Sequence, residues 1–491
     1  MASSKLQGLP TELIFAILDG ASLRDLHAIS QTCQRLHNIA TTSRQFWANA
    51  ADKDILPLPT GYTFDTIPVE QIFSIAARGI GWQKVTNNEP AKPRRYLPYA
   101  VEDEKVRLNL LALPGNSWYI EQRVSGSHIK RAEPGWENVA YLIPLPGDTV
   151  PNFRGSVIGG GDMNLVTSIR LPGEIFKTQR ILHIMKMHFP DERQGPAEPY
   201  LKDRSQIVLP HPAFNSIIED KIFLTATIER SCSRLLLLNR LTNIGLILNY
   251  PDQDPDSQEE PTRWVASISL NEKAQKIVVV SLNQGEGDRE SGQLIEKIDL
   301  VDIPDDLFGE QELGATNTPS EAIWTNRAMT ISHSFTVPEY DAKAISHLPS
   351  KLPPSAIRLT TFTFKKPENL DSDEPSQIQQ FGSLYIDNDN LLVFYTHELD
   401  GADINTFSDN PYRANGVSQL LGIERKTKGE ILELCFVKPG STVKQKCRLV
   451  PPDDIPGMTG YAVEGFDTTR GRLFIKVFRE GEKYIHYAVQ Y

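Results

Sequence analysis

Asp252, Asp254 and Asp256 have the one-three-five spacing at which a calcium loop presents carboxylate oxygens to a metal. The sixth position of that loop is Ser257 where glycine is needed, and the twelfth is Arg263 where a bidentate glutamate is needed, so a solvated acidic loop is expected instead. His183 and His188 lie five apart in a run that reads as a strand. Successive side chains of a strand alternate between faces, so the two rings point opposite ways and cannot share one ion. Gly159-Gly160-Gly161-Asp162 could cradle an anion with backbone amides, yet no lysine-serine pair or helical pattern follows it, and a turn between strands fits better. Cys435 and Cys447 have no second cysteine or histidine at ligand spacing and read as core thiols. A Gly-x-Ser-x-Gly elbow and a paired-cysteine motif are missing, and His397-Glu398 lacks the second histidine of a zinc-protease helix. The sequence therefore predicts no catalytic residue, no metal and no cofactor.

The remaining place for function is a binding surface, and the stretch from Leu9 to Trp47 has the residues for one. Pro10 can open a helix, Glu12 favours the positive end of its dipole, and Leu13, Ile14, Ile17 and Leu18 follow at helical spacing. Ser22 and Asp25 form a variant capping box, with aspartate in place of glutamate. Leu23, Leu26, Ile29, Cys33 and Leu36 then continue at three- and four-residue steps as a second helical run ending before Thr41. Short helices with this many large apolar residues cannot bury them all within about 40 residues, so part of the apolar face needs a partner.

At Leu9, Pro10, Glu12, Leu13, Ile17, Leu18, Leu23, Leu26, Ser30, Cys33, Arg35, Leu36 and Trp47 the chain resembles an F-box, the helical module by which substrate receptors of cullin-type ubiquitin ligases dock on a Skp-family adaptor. The resemblance implies that Leu9, Pro10, Leu13, Ile17, Leu18, Leu23, Leu26, Ile29, Cys33, Leu36 and Trp47 form or support the adaptor surface. It also implies that cullin is reached through the adaptor.

The chain has 491 residues, more than one typical domain, and its 40% hydrophobic and 23% charged content is that of a folded protein. A net charge of −11 offers phosphate backbones no broad attraction, so nucleic acid is not an expected partner. No apolar run approaches the roughly 20 residues that span a bilayer. The start lacks the apolar segment of a signal peptide, and the four cysteines are scattered singly; these features predict an intracellular protein, cytoplasmic or nuclear. The basic run Lys92-Pro93-Arg94-Arg95 is too short to serve as an import signal.

Residues 6–50 read as the helical module and residues 51–98 as a linker with one amphipathic helix at about 68–80, carrying Val69, Ile72, Phe73, Ala76 and Ile80. The segment from Glu89 to Pro98 reads as an extended connector. From residue 99 to 491 short apolar runs alternate with Gly, Pro, Asn and Asp clusters. The first is Val106 to Leu113 and the last Tyr484 to Gln490, and no helical period intervenes. Eighteen such runs predict a mainly β protein: hairpins and meanders in a large antiparallel domain, arranged as a propeller of seven or eight blades at about 40–45 residues each. Leu113 to Trp118 and Phe466 to Arg472 look like hairpin tips. Tyr250 to Pro261, Gln284 to Gly292, Asp302 to Ser320 and Lys365 to Gln379 look like surface loops. In the segments Val69 to Arg95, Leu113 to Ile120 and Phe466 to Phe474 the chain resembles fungal F-box proteins that carry a divergent WD-like propeller behind a leucine-rich helix and an arginine- and proline-containing connector. The joint expectation is a non-catalytic receptor of an SCF-type ubiquitin ligase, with the propeller binding a protein substrate of unknown identity. The alternatives are a scaffold that binds the adaptor without promoting degradation, and a hydrolase with its site in the propeller channel.

Overall fold

The computed structural model describes residues 8–53, 56–86, 90–103, 109–113, 115, 118–123, 126–131, 140–143, 145, 153–170, 180–191, 195, 197–211, 214–218, 221–229, 232–250, 263–271, 275–284, 294–308, 320–336, 357–364, 379–386, 392–399, 419–424, 432–437, 444–452, 454–467, 470–479 and 483–491.

Four short helices open the chain: α1 (Thr11–Ile17), α2 (Leu23–Ser30), α3 (Gln34–Thr42) and α4 (Gln45–Ala48). Pro10 stands one position earlier than a first-turn residue, at the N-cap of α1 with φ −53 and ψ 148. Half of the expected capping box is formed: the Asp25 amide donates to Ser22 Oγ at 3.1 Å, and Asp25 Oδ2 accepts from the Ser22 hydroxyl at 2.7 Å. The single second run expected from the spacing is two helices. It breaks at Cys33, which is extended at φ −158 and caps α3 by accepting from the Leu36 amide through its sulfur. Trp47 is fully buried and its indole N–H donates to the Ala40 carbonyl at 2.8 Å, tying α4 to α3.

A fifth helix, α5 (Val69–Thr86), starts where the apolar period places it. It runs past Gly79 and Gly81 to Thr86, because a glycine weakens a helix without ending it when the neighbouring turns are held. Ile72, Ile75, Ala76 and Ile80 enter one core with Ile14, Leu18, Leu23, Leu26, Leu36 and Trp47. Phe73 sits among rings from three other helices: His27 at 5.3 Å, His37 at 5.1 Å and Trp47 at 6.2 Å between centroids. The chain thus supplies from its own linker part of the apolar cover that the short helices need.

The rest is β. Strand β1 (Arg95–Asp103) lies where a connector was expected up to Pro98. Proline is tolerated because β1 is an edge strand, and the register shifts between Pro98 and Ala100. The first sheet is β2 (Asn109–Ala112), β3 (Trp118–Arg123), β4 (Gly126–Arg131) and β5 (Ala140–Ile143). The second has β6 (Arg154–Gly159), β7 (Asp162–Arg170), β8 (Arg180–His188) and β9 (Tyr200–Leu209). The third has β10 (Phe214–Ile218), β11 (Ile222–Glu229), β12 (Cys232–Asn239) and β13 (Ile244–Asn249). Then come β14 (Arg263–Asn271), β15 (Lys276–Gln284) and β16 (Leu294–Asp302). After them the chain leaves the fourth sheet: β17 (Ser320–Glu321) pairs in parallel with β9, β18 (Ile323–Ala328) pairs in parallel with β13, and β19 (Ile331–Thr336) returns to β16. The fifth sheet is β20 (Ile357–Phe364), β21 (Gln379–Ile386) and β22 (Leu392–Leu399), and the sixth is β23 (Gln419–Glu424), β24 (Leu432–Val437) and β25 (Lys444–Leu449). The seventh is β26 (Met458–Asp467), β27 (Arg472–Arg479) and β28 (Lys483–Gln490), completed by β1.

Among the described residues the strands form seven sheets built on consecutive antiparallel strands, two of them extended by a parallel strand, and the first strand of the domain completes the last sheet, a propeller-like strand order. Each of the eighteen apolar runs overlaps a strand. The loop expected from Asp302 begins as an anchored 3-10 turn, Asp305–Phe308, with Ile303 and Leu307 in the core shared by the third and fourth sheets. At the other end of that excursion Trp324 lies against Gly245, and Arg327 pairs with Asp306.

Candidate functional site

On α1 the helical period separates two faces. Ile14 and Leu18 point inward and are 0% and 8% exposed, whereas Leu13 and Ile17 point outward and are 51% and 59% exposed. Pro10, also exposed, precedes them by three residues, so Pro10, Leu13 and Ile17 lie on one side of the helix. Among the described residues the other large exposed apolar side chains, Val101, Leu142, Tyr200 and Ile323, sit on four different strands. Leu13 and Ile17 alone form a pair on one element.

Local chemistry holds this face in place. Arg35, on α3, donates from Nη2 to the Leu9 carbonyl at 2.7 Å and so fixes the Leu9-Pro10 step against the third helix. The Leu23 amide at the start of α2 donates to Asp52 Oδ1 at 2.6 Å. Of the eleven residues predicted to form or support the surface, Pro10, Leu13 and Ile17 are exposed, and Leu9, Ile29 and Cys33 are half-buried. Leu18, Leu23, Leu26, Leu36 and Trp47 lie in the helical core and support the surface from beneath. Two supports were not singled out from sequence. Asp52 lies 29 residues from its amide partner, and Phe73 belongs to the linker helix; no local spacing links either to the module.

Three of the polar constellations fall on described residues: the glycine run, the histidine pair and Cys447. The Gly159-Gly160-Gly161 stretch is the tight turn between β6 and β7. At its end Asp162 accepts from Lys202 at 2.7 Å and from His188 Nδ1 at 2.7 Å. Burial acts to raise its carboxyl, and these two partners outweigh that and hold it below its ordinary range. His183 is buried in the second sheet, where Arg204 Nη2 donates to its Nδ1 at 2.9 Å. Burial first and the neighbouring guanidinium second push the imidazole down from 6.5 to about 4. The two histidines thus sit in separate environments, one neutral and internal, the other paired with a carboxylate. Cys447 is fully buried in the core around the seventh sheet. Asp252, Asp254 and Asp256 lie outside the described residues, as do the side chains of Cys435, His397 and Glu398. Among the described residues no group of three or more His, Cys, Asp or Glu could hold a metal ion, and no helix is long and apolar enough to cross a membrane.

The exposed face, the cap at Ser22 and the Arg35 clasp all fall within one short segment that has a known counterpart. Residues 6–51 match the F-box-like family. An F-box-like module implies docking on a Skp-type adaptor within an SCF-type ubiquitin ligase, and proteins with this module are typically non-catalytic adaptors. No curated protein matches the chain. Among solved structures, the WD40 domain of SCAP from fission yeast is 12% identical over 78% of this chain and 84% of its own, with a TM-score of 0.37. The Dos1 propeller is 10% identical over 78% of each chain, with a TM-score of 0.29. Sqt1 from Saccharomyces cerevisiae is 10% identical over 82% of this chain and all of its own, with a TM-score of 0.27. These likenesses are distant, and the propeller-like character of the β domain rests on its strand order.

Proposed function

We propose that this chain is the substrate-recognition subunit of an SCF-type ubiquitin ligase. The observation that carries the reading is the outward Pro10, Leu13 and Ile17 face on a module that matches the F-box-like family. Paired apolar side chains left half in water are what a hydrophobic docking surface presents before its partner covers them. In this reading the F-box-like module holds a Skp adaptor, the adaptor holds cullin, and the β domain holds a protein substrate in the cytosol or nucleus. Chemistry is then supplied by proximity: tethering raises the concentration of activated ubiquitin around a substrate lysine, and this chain contributes no reacting group.

Capture by an immobilised Skp adaptor tests the first step. Wild-type chain should be retained and a Leu9→Ala/Pro10→Ala variant should be retained poorly. Equal capture of both, or capture of neither, sinks the reading. Substrate that binds the β domain and assembles with the adaptor, yet receives no ubiquitin, would instead mark a scaffold.

A further inference from the structure

The segment from Leu56 to Gln71 has two sides. Leu56 and Ile67 lie in the helical core, and Arg44, at the N-cap of α4, donates to the Phe64 and Ile67 carbonyls. The backbone on the other side meets hairpin tips from three sheets. Gly61, at φ +83, would place a Cβ 2.5 Å from the Gly161 carbonyl carbon, and the Gly161 amide donates to the Gly61 carbonyl at 3.0 Å. Gly161, at φ +88, would place a Cβ 2.8 Å from both His188 Cε1 and the Phe189 carbonyl oxygen, and its own carbonyl accepts from the Phe189 amide at 2.7 Å. Gly115 in the β2–β3 tip would meet the Thr60 amide nitrogen at 2.6 Å. Arg470 in the β26–β27 tip donates to the Leu58 carbonyl at 3.1 Å, and Gln71 donates to Asp191 at 3.1 Å.

A Cβ on any of these three glycines would overlap its neighbour, and the backbone hydrogen bonds between Gly61, Gly161 and Phe189 would break if the segment slid. Two glycines facing each other at the centre, with the neighbouring sheets gripping on either side, make a seam with one seating. We propose that this seam sets the angle between the adaptor-docking face and the β domain, and that Gly61 and Gly161 are positioning residues for ubiquitin transfer. The consequence for transfer rests on the receptor reading above; the geometry does not. Transfer between bodies held by a common frame depends on their relative placement, because the gain in effective concentration is lost when the geometry fails.

Gly160 supplies the control. It sits in the same turn at φ +65, and a Cβ there meets nothing within 4 Å, so Gly160→Ala carries backbone strain without intruding on the seam. The full chain, labelled through azide side chains at the exposed positions Ala28 and Thr325, reports the angle as a distance distribution by pulsed electron resonance. Wild type and Gly160→Ala should give the same single narrow peak, and Gly61→Ala and Gly161→Ala a displaced or broadened one. Should the glycine variants fail to fold, a Gln71→Ala/Arg470→Ala variant, which removes only side-chain bonds of the seam, should broaden the peak.

In a complex rebuilt with adaptor, cullin and ubiquitin enzymes, the lysines on this chain that acquire ubiquitin should be the same for wild type and Gly160→Ala. They should differ for Gly61→Ala, with adaptor affinity unchanged. Unaltered distances in every seam variant, or equal broadening in Gly160→Ala, overturns the seam. Wild-type chain that ignores the adaptor overturns the receptor reading and leaves the distance result standing.

Discussion

Truncating Leu13 and Ile17 together to alanine separates docking from folding. Their exposed fractions are 51% and 59%. Complete burial of a leucine or isoleucine contributes about 1.5–3 kcal/mol, so covering these fractions contributes roughly 1–1.5 kcal/mol for each side chain and about 2–3 kcal/mol for the pair. That is roughly a 30- to 150-fold rise in Kd for the adaptor. The same change should leave folding within about 0.5 kcal/mol of wild type, because neither side chain has a closed cavity around it. Leu23 and Leu26, 0% and 1% exposed, behave in the opposite way: either one changed to alanine should lower stability by about 2–5 kcal/mol. Titration calorimetry against a Skp adaptor, with denaturant unfolding on the same samples, measures both quantities. An adaptor affinity unchanged in the Leu13→Ala/Ile17→Ala variant would refute the assignment of that face.

Three further outcomes follow from the β domain. The pKa of His183 is lower in the folded chain than unfolded, so its contribution to stability is complete above pH 6.5 and is lost as pH falls through 6.5 towards about 4. The loss should reach about 2 kcal/mol at pH 5, read as the difference between wild type and His183→Gln in denaturant midpoints across that window. Gly245→Ala would place a Cβ 2.4 Å from the Trp324 ring, so it should push β18 off β13 and cost about 1–3 kcal/mol, seen as a red shift of tryptophan emission and a lower Tm. Asn239→Ala removes the bond of 2.7 Å from its amide to the buried Leu307 carbonyl and should cost about 1–3 kcal/mol by thermal unfolding.

Helical spacing in the first fifty residues shows which side chains share a face, and it places Ile14 with Leu18 and Leu13 with Ile17. It does not say which face is covered, because the cover comes from α5, whose Phe73 lies among rings of α2, α3 and α4. In the β domain the apolar runs mark strands that feed the core. Strands without such a run escape notice: β9 has no buried residue among its first seven, and β18 is exposed at five of six residues. β1 is hidden for another reason, its proline, which an edge strand accepts. The turns at Leu113 to Trp118, at Gly159 to Asp162 and at Phe466 to Arg472 are legible as turns. Their common partner is not, since Arg470 and Leu58 are 412 residues apart and a glycine contact leaves no side-chain pattern to read.

In the receptor reading proposed above, the β domain delivers a bound protein to ubiquitin carried by the F-box-like module's partners. The decisive experiment is ubiquitin transfer in a complex rebuilt from this chain, a Skp adaptor, cullin and the ubiquitin enzymes, using a protein captured by the β domain. The captured protein should acquire ubiquitin with the full chain and remain unmodified when Leu13 and Ile17 are replaced by alanine at adaptor concentrations below the variant's Kd. A captured protein left unmodified by an assembled wild-type complex, or modified equally without the adaptor, would rule out the receptor function.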